Sequence, residues 1–349
     1  MDTNAEPLPR PSATLSPSDG ERDGVRGFGV HWWSADLWSN RMDTLLYLAA
    51  RTLIAVLQAL PLRGVARLGR TVGALVYWLD ARHRRVATNN LARCFPEKSA
   101  AEIKQLAQEN LRRIGENFAS AAKTAAMTTE ALRKHIEFVI PPEFQSPAGT
   151  TPPSVVVAIG HFGNFELYAR LGVFCHGYQG ATTYRGLRQA ALNRLLQSLR
   201  AQSGCLFFER RFDADKLKAA MNRPGMMLGL LCDQTAGRHG LQLPFLGHNA
   251  STSPAVALFA LRYKCPLYTG ICYRVGLAQW RIEAGAQIPT HENGEPRSTE
   301  AIMRDVNAAL EVAIRRDPAN WFWVHNRWKR GQPEAAKSED GELKIETPA

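Results

Sequence analysis

This sequence predicts an α/β fold, a mixed and mostly parallel sheet flanked by helices, with a helical part in front of it. Three observations carry that expectation. Val155-Val156-Val157-Ala158-Ile159 is a short run rich in β-branched residues, the pattern of a buried strand. From there on, short apolar runs alternate with segments of helical period, as in a chain of βα units. Polar residues able to do chemistry recur at the ends of those runs, where an open α/β sheet gathers its ligand crevice. The 349 residues, 45% hydrophobic and 21% charged, suffice for one large domain or two ordinary ones.

Residues 1–41 are rich in Pro, Ser, Gly, Asp and Arg and read as a disordered tail, without the apolar core of a signal peptide. Trp32, Trp33 and Trp38 stand out in it, as anchors at a membrane interface or as packing residues. Residues 42–150 read as a helical, membrane-associated part. Thr44 to Leu60 is strongly apolar, but Arg51 and Gln58 interrupt it and Pro61 stops it. That suits a helix half-sunk in the bilayer surface better than a clean span; an ordinary buried helix is the alternative. Gly64 to Leu79 is a second apolar helix, followed by Arg82-His83-Arg84-Arg85, which fits anionic headgroups or a solvated charged face. Ser99 and Glu102 form a capping box for a long amphipathic helix through Ile103, Leu106, Leu111, Ile114 and Phe118. A short helix starts at Thr129. Pro141-Pro142 and the loop over 147–153 mark a hinge.

The catalytic part is expected over residues 151–330. Its strands are read at 155–159, 180–184, 205–208 and 226–232, with a hairpin of 267–274 and 279–286. Helices are read from Phe165 onward and at 187–200, 213–221, 253–262 and 299–316. Residues 233–253 read as a long loop, uncommon in a domain unless functional. Residues 331–349 read as a second disordered tail.

Net charge is +11, which suits an acidic partner: nucleic acid, an anionic membrane surface or an acidic carrier protein. No nucleic-acid module signature is present, so nucleic acid is set aside. Six scattered cysteines with no C-x-x-C read as buried reduced thiols. There is no G-x-S-x-G elbow, no Walker A sequence and no H-E-x-x-H, and no cofactor or metal is expected; His161 and Glu166 alone are too few ligands for a catalytic metal.

The chemistry centres on Gly160-His161-Phe162-Gly163-Asn164-Phe165-Glu166. With His161 on the turn and Glu166 in the first helical turn, the carboxylate can fold back under the imidazole. Such a pairing fixes the tautomer of a general base. Compensation of a helix dipole is the plainer role for Glu166. Arg185, Asp233 and Gln234 sit at other strand ends. Arg185 could equally be a surface ion-pair partner, and Asp233 a loop-start cap.

That turn, with Asn89-Asn90-Leu91-Ala92-Arg93-Cys94-Phe95-Pro96-Glu97, Tyr184-Arg185, Asp233-Gln234, Pro244-Phe245-Leu246-Gly247, Ser251-Thr252 and Trp323-Val324-His325-Asn326-Arg327-Trp328-Lys329, resembles the lipid A late acyltransferases, the lauroyl/myristoyl transferases of the lysophospholipid acyltransferase-like superfamily. The resemblance covers roughly residues 42–330. It implies a glycerol-3-phosphate acyltransferase-like fold, and transfer of an acyl group from acyl carrier protein or acyl-CoA to a hydroxyl of a lipid A precursor or related membrane glycolipid. The place would be the cytoplasmic face of the inner membrane. His161 would take the hydroxyl proton and Glu166 would orient His161. Arg185 or backbone amides around Gly163 would stabilise the oxyanion. Gly163, Asn164, Asp233 and Gln234 would contact substrate. Gly186, Leu246 and Asn326 depart from the family pattern. The rival from another class is a catalytically silent membrane-surface protein that binds lipid or acyl carrier; a hydrolase releasing fatty acid shares the base.

Overall fold

The computed structural model describes residues 32–144 and 149–329. The tail read at 331–349, and the part of the first tail before Trp32, lie outside the described residues. The chain divides into Met1–Asp43 and Thr44–Ala349, and the sheet and the helices over it belong to the second unit. In chain order the helices are α1 (Trp32–Ala59), α2 (Leu62–Leu79), α3 (Ala81–Cys94), α4 (Ala100–Ala125), α5 (Thr129–Arg133), α6 (Leu171–Phe174), α7 (Ala190–Ala201), α8 (Ala214–Met221), α9 (Ala255–Arg262) and α10 (Thr299–Arg316). The strands are β1 (Ile136–Val139), β2 (Val155–Ile159), β3 (Gln179–Tyr184), β4 (Leu206–Glu209), β5 (Met226–Leu231), β6 (Leu241–Phe245), β7 (His248–Thr252), β8 (Leu267–Gly276) and β9 (Gln279–Ala284). α1 starts at Trp32, inside the segment read as a tail.

Seven strands form the main sheet in the order β1-β9-β8-β2-β5-β3-β4, parallel throughout except for the β8–β9 hairpin. This is the mixed, mostly parallel sheet the sequence predicts. β2 lies at its centre, and all five of its residues are buried. A continuous β-branched run is what a strand covered on both faces requires. From β2 the chain runs to β3 and β4 on one side, returns as β5 directly beside β2, then crosses to the β8 side. The reversal places the carboxyl end of β2 at a topological switch point.

The helical layer is fastened by three devices. The Ser99–Glu102 capping box holds the start of α4: the Ser99 N–H donates to Glu102 Oε2 at 2.8 Å and the Glu102 N–H to Ser99 Oγ at 3.3 Å. α2 lies close against α4 because Gly73 has no side chain; a Cβ there would collide with the Leu111 carbonyl. Two buried asparagines then tie the layer to the closing segment. Asn90 of α3 donates to the carbonyls of Trp323 and His325, both at 2.9 Å. Asn110 of α4 donates to those of Ala319 at 3.0 Å and Trp321 at 2.6 Å.

The opposite face of α2 is different. Leu68, Val72, Leu75 and Leu79 recur at helical spacing and are exposed, as is Trp78. On α1, Leu45, Leu46, Leu53 and Val56 are exposed too. Among the described residues, no helix is long and apolar enough to cross a membrane.

Two readings of local structure need correction. Residues 233–253 contain an antiparallel hairpin, β6–β7, not an irregular loop. After Phe165 the chain forms a 3-10 helix (Phe165–Arg170) before the single turn of α6.

Candidate active site

His161 lies two residues beyond the end of β2 and Asp233 two beyond the end of β5. These strands are parallel neighbours with Ile159 and Leu231 in register, so equal overruns bring the two side chains together. Asp233 Oδ1 lies 2.8 Å from His161 Nδ1, and Oδ2 accepts the His161 backbone N–H at 2.8 Å. Trp321 completes the set by donating its indole N–H to Asp233 Oδ2 at 2.8 Å. The closing segment that carries this tryptophan is pinned to the same turn, because the Gly163 N–H donates to the Asn320 carbonyl at 3.1 Å.

Asp233 is 1% exposed at its side chain, His161 15%. Burial by itself would raise the Asp233 carboxyl, but the charge and hydrogen bonds of His161 and the Trp321 donor hold it down at about 2. An ionised Asp233 accepts from Nδ1–H and leaves Nε2 with its lone pair. His161 lines a large cavity, Gln234 Nε2 stands 3.5 Å from His161 Nε2, and Phe165 and Phe322 pack against the imidazole at centroid distances of 4.9 and 5.9 Å.

Glu166 is elsewhere. Its carboxylate receives Arg200 of α7 in a two-point ion pair, Nη2 to Oε1 at 2.6 Å and Nε to Oε2 at 3.1 Å. The expected fold-back of Glu166 under His161 does not occur in this structure. The 3-10 helix turns the side chain sideways toward α7, and Asp233 occupies the Nδ1 position. Both members of the Glu166–Arg200 pair line the cavity, as do Arg185 and Gln234. Asn164 is buried; its amide donates to Thr124 Oγ1 at 3.4 Å, and the backbone of Gly163 turns at φ 50°, where a side chain would also meet the Cys272 carbonyl. Gly163 and Asn164 therefore shape the turn.

The cavity encloses about 590 Å³. Its floor is one face of the sheet, where Val157, Gly229, Thr182 and Phe207 fall in one register row across β2, β5, β3 and β4. Gly229 leaves the middle of that row without a side chain. The 3-10 helix and α7 form the opposite wall with Tyr168, Leu196 and Arg200. A slot of mixed lining, with an apolar stretch over the sheet and an imidazole and cations on its polar side, can hold a chain and deprotonate a hydroxyl at one end.

Sequence reasoning missed the Asp233–His161 bond, Trp321 and Arg200. The first had a visible signal: each residue stands two past the end of a strand-like run. Trp321 had none, since it reaches Asp233 only through the fold. His325 also belongs to this surround; its Nε2 accepts the Thr235 N–H at 3.2 Å, and burial lowers its basicity.

Comparison with known proteins points the same way. The profile of the family described as bacterial lipid A biosynthesis acyltransferase matches residues 39–330. The lipid A biosynthesis palmitoleoyltransferase of Escherichia coli (strain K12) is 22% identical over 275 residues, which cover 77% of this chain and 86% of that protein. A lipid A biosynthesis acyltransferase of Shigella flexneri gives the same figures.

Proposed function

The chain belongs to the bacterial lipid A biosynthesis acyltransferase family and is an enzyme, and we propose that it moves a fatty acyl group from acyl carrier protein or acyl-CoA to a hydroxyl of a lipid A precursor or related glycolipid. The observation that carries the mechanism is the His161–Asp233 contact on the lining of that large cavity. Asp233 holds Nδ1–H, and Nε2 takes the proton from the acceptor hydroxyl as its oxygen attacks the thioester carbonyl carbon. The tetrahedral oxyanion collapses, the carbon–sulfur bond breaks, and the departing thiolate recovers the proton from His161. The acyl chain lies along the slot. Arg185, exposed at its rim, stabilises the oxyanion or draws in the donor. Glu166 and Arg200 brace the wall against which the chain lies.

Several features support work at the cytoplasmic face of the inner membrane. The exposed apolar stripes of α1 and α2 suit the interfacial region of a bilayer. Arg82 and Arg85 lie exposed just beyond α2, and a basic residue near an anionic surface contributes about 1 kcal/mol. The net charge of +11 also suits an acidic carrier protein.

The test is incubation of the purified enzyme with acyl-carrier and acyl-CoA donors and a lipid A precursor, read by mass spectrometry. Acylated glycolipid is expected, with His161→Ala slower by about 10²–10⁴-fold. Free fatty acid as the only product would replace transfer by hydrolysis. For the membrane contact, Leu75→Glu with Leu79→Glu is expected to abolish flotation with anionic vesicles while leaving the fold intact; undiminished flotation would move the contact elsewhere.

A further inference from the structure

A second cavity of about 240 Å³ lies on the opposite face of the same strands. Thr183 and Phe208 are one residue on from Thr182 and Phe207, in register with each other, and so point the other way. With Leu230 they form its floor; Leu217 of α8 and Val256 and Phe259 of α9 form its walls. The acids at its edge are already matched. Asp213 accepts from the Glu209 N–H at 2.9 Å and from Lys216 at 2.8 Å. Glu209 accepts from the Gly186 and Arg211 N–H groups at 3.2 and 2.6 Å. Lys218 is paired with Asp215, and apart from Thr183, Arg210 and Ser253 the rest of the lining is apolar.

The two cavities meet. Thr183, Arg210, Leu231 and Ser253 line both, so their mouths share one rim at the carboxyl edge of β3, β4 and β5. Beside the second mouth Phe212 and Leu258 stand exposed, an apolar approach for a lipid. We propose that this second cavity receives an acyl chain that the acceptor lipid already carries, while the donor chain occupies the larger slot. The inference rests on the acyl-transfer reading above. Of these two cavities only the larger is lined by His161, so the chain being transferred belongs there. A chain in the second cavity must then arrive with the other reactant. With the chains on opposite faces of the sheet, the acceptor headgroup is held over the shared rim, within reach of the thioester. A transferase for two lipids needs such separation, because one slot filled by the wrong chain blocks the reaction.

The test has two arms. In the first, a lipid A precursor with a diazirine at the end of one acyl chain, and separately an acyl-CoA with a diazirine at its chain end, are photolysed with the full-length enzyme and the labelled peptides mapped. The acceptor probe is expected on α8 and α9, the donor probe on β4 and α7. In the second, Ala255→Phe partly fills the cavity from a half-exposed position at the start of α9. It is expected to raise KM for a long-chain acceptor about tenfold or more, the effect of a single methylene in an apolar pocket being already of that order. Preference should move toward shorter acceptor chains, with donor KM and donor chain preference unchanged. Acceptor label away from α8 and α9, donor label on them, or a change in donor preference in Ala255→Phe would overturn the assignment. Labelling of α8 and α9 by the acceptor probe in an enzyme that transfers no acyl group would sink the transferase reading and leave the lipid-chain cavity standing.

Discussion

Asp233 and Glu166 are both carboxylates within a few residues of a strand end, and the fold sends them to opposite duties. Asp233 is sealed, and its two oxygens are matched by three donors from His161 and Trp321. Glu166 is 27% exposed at its side chain and is spent on one guanidinium. A buried ionised carboxylate survives only where every lone pair it offers is answered, and removing one partner costs several kcal/mol. A partly exposed ion pair is typically worth about 1 kcal/mol or less. The difference teaches that sequence distance from His161 is a poor guide to which acid serves it. Strand register is a better one.

The largest expected effect follows from that contrast. Asp233→Asn removes the charge and the tautomer control at once, and kcat is expected to fall about 10²–10⁴-fold with acceptor KM little changed. A raised KM with kcat intact would show that Asp233 touches substrate and does not act through His161.

Next in size is stability in acid. The Asp233 carboxyl is held at about 2, below its ordinary 3.8. Its folded-state value is depressed, so the stability it contributes is full above about pH 4 and is lost as pH falls through that interval toward 2. The shift corresponds to about 2 kcal/mol. Urea unfolding of wild type and Asp233→Asn across this range should show the gap between them closing as the pH drops; a gap independent of pH would mean that the carboxylate is not held ionised by its partners. Trp321→Phe keeps an aromatic ring but deletes the donor and leaves a small cavity at a buried position, with an expected loss of about 1.5–3 kcal/mol from the donor alone and a smaller fall in kcat than Asp233→Asn.

The main outline of the sheet was legible because its physical causes are local. Val155–Ile159 is β-branched and buried from end to end, and the later strands follow at regular intervals. Where tertiary structure overrides local preference, the sequence was mute. The β6–β7 hairpin turns on Leu246 and Gly247, with φ of 50° and 79°. An Asn-Gly pair would have announced a two-residue turn; leucine in the left-handed region does not. It is tolerated because Leu246 is buried in the main core. β1 was missed because it is a short edge strand, paired in parallel only with β9 across a long stretch of chain. At the site, His161 was legible from its glycine-flanked turn. Trp321 is joined to Asp233 across 88 positions, and no local pattern encodes such a pair. Asn90 and Asn110 share that fate: on the sequence they are polar residues in amphipathic helices, and only the fold shows them gripping the segment that delivers Trp321.

The smallest effect sharpens the comparison most. If Glu166 braces a wall, its loss should match the loss of Arg200, and losing both should cost no more than losing either. Glu166→Gln, Arg200→Gln and the double variant form a cycle whose coupling isolates the pair. Each single change is expected to lower kcat less than about tenfold, consistent with a partly exposed ion pair, and to alter donor chain-length preference, because both side chains line the slot. The pH profile of kcat should stay that of wild type, since neither residue touches Nδ1. A loss in Glu166→Gln equal to that in Asp233→Asn, with a shifted profile and no coupling to Arg200, would mean that Glu166 leaves Arg200 during turnover and takes the orienting role. The two carboxylates would then alternate under one imidazole, and their separate stations in the structure would be the resting arrangement only.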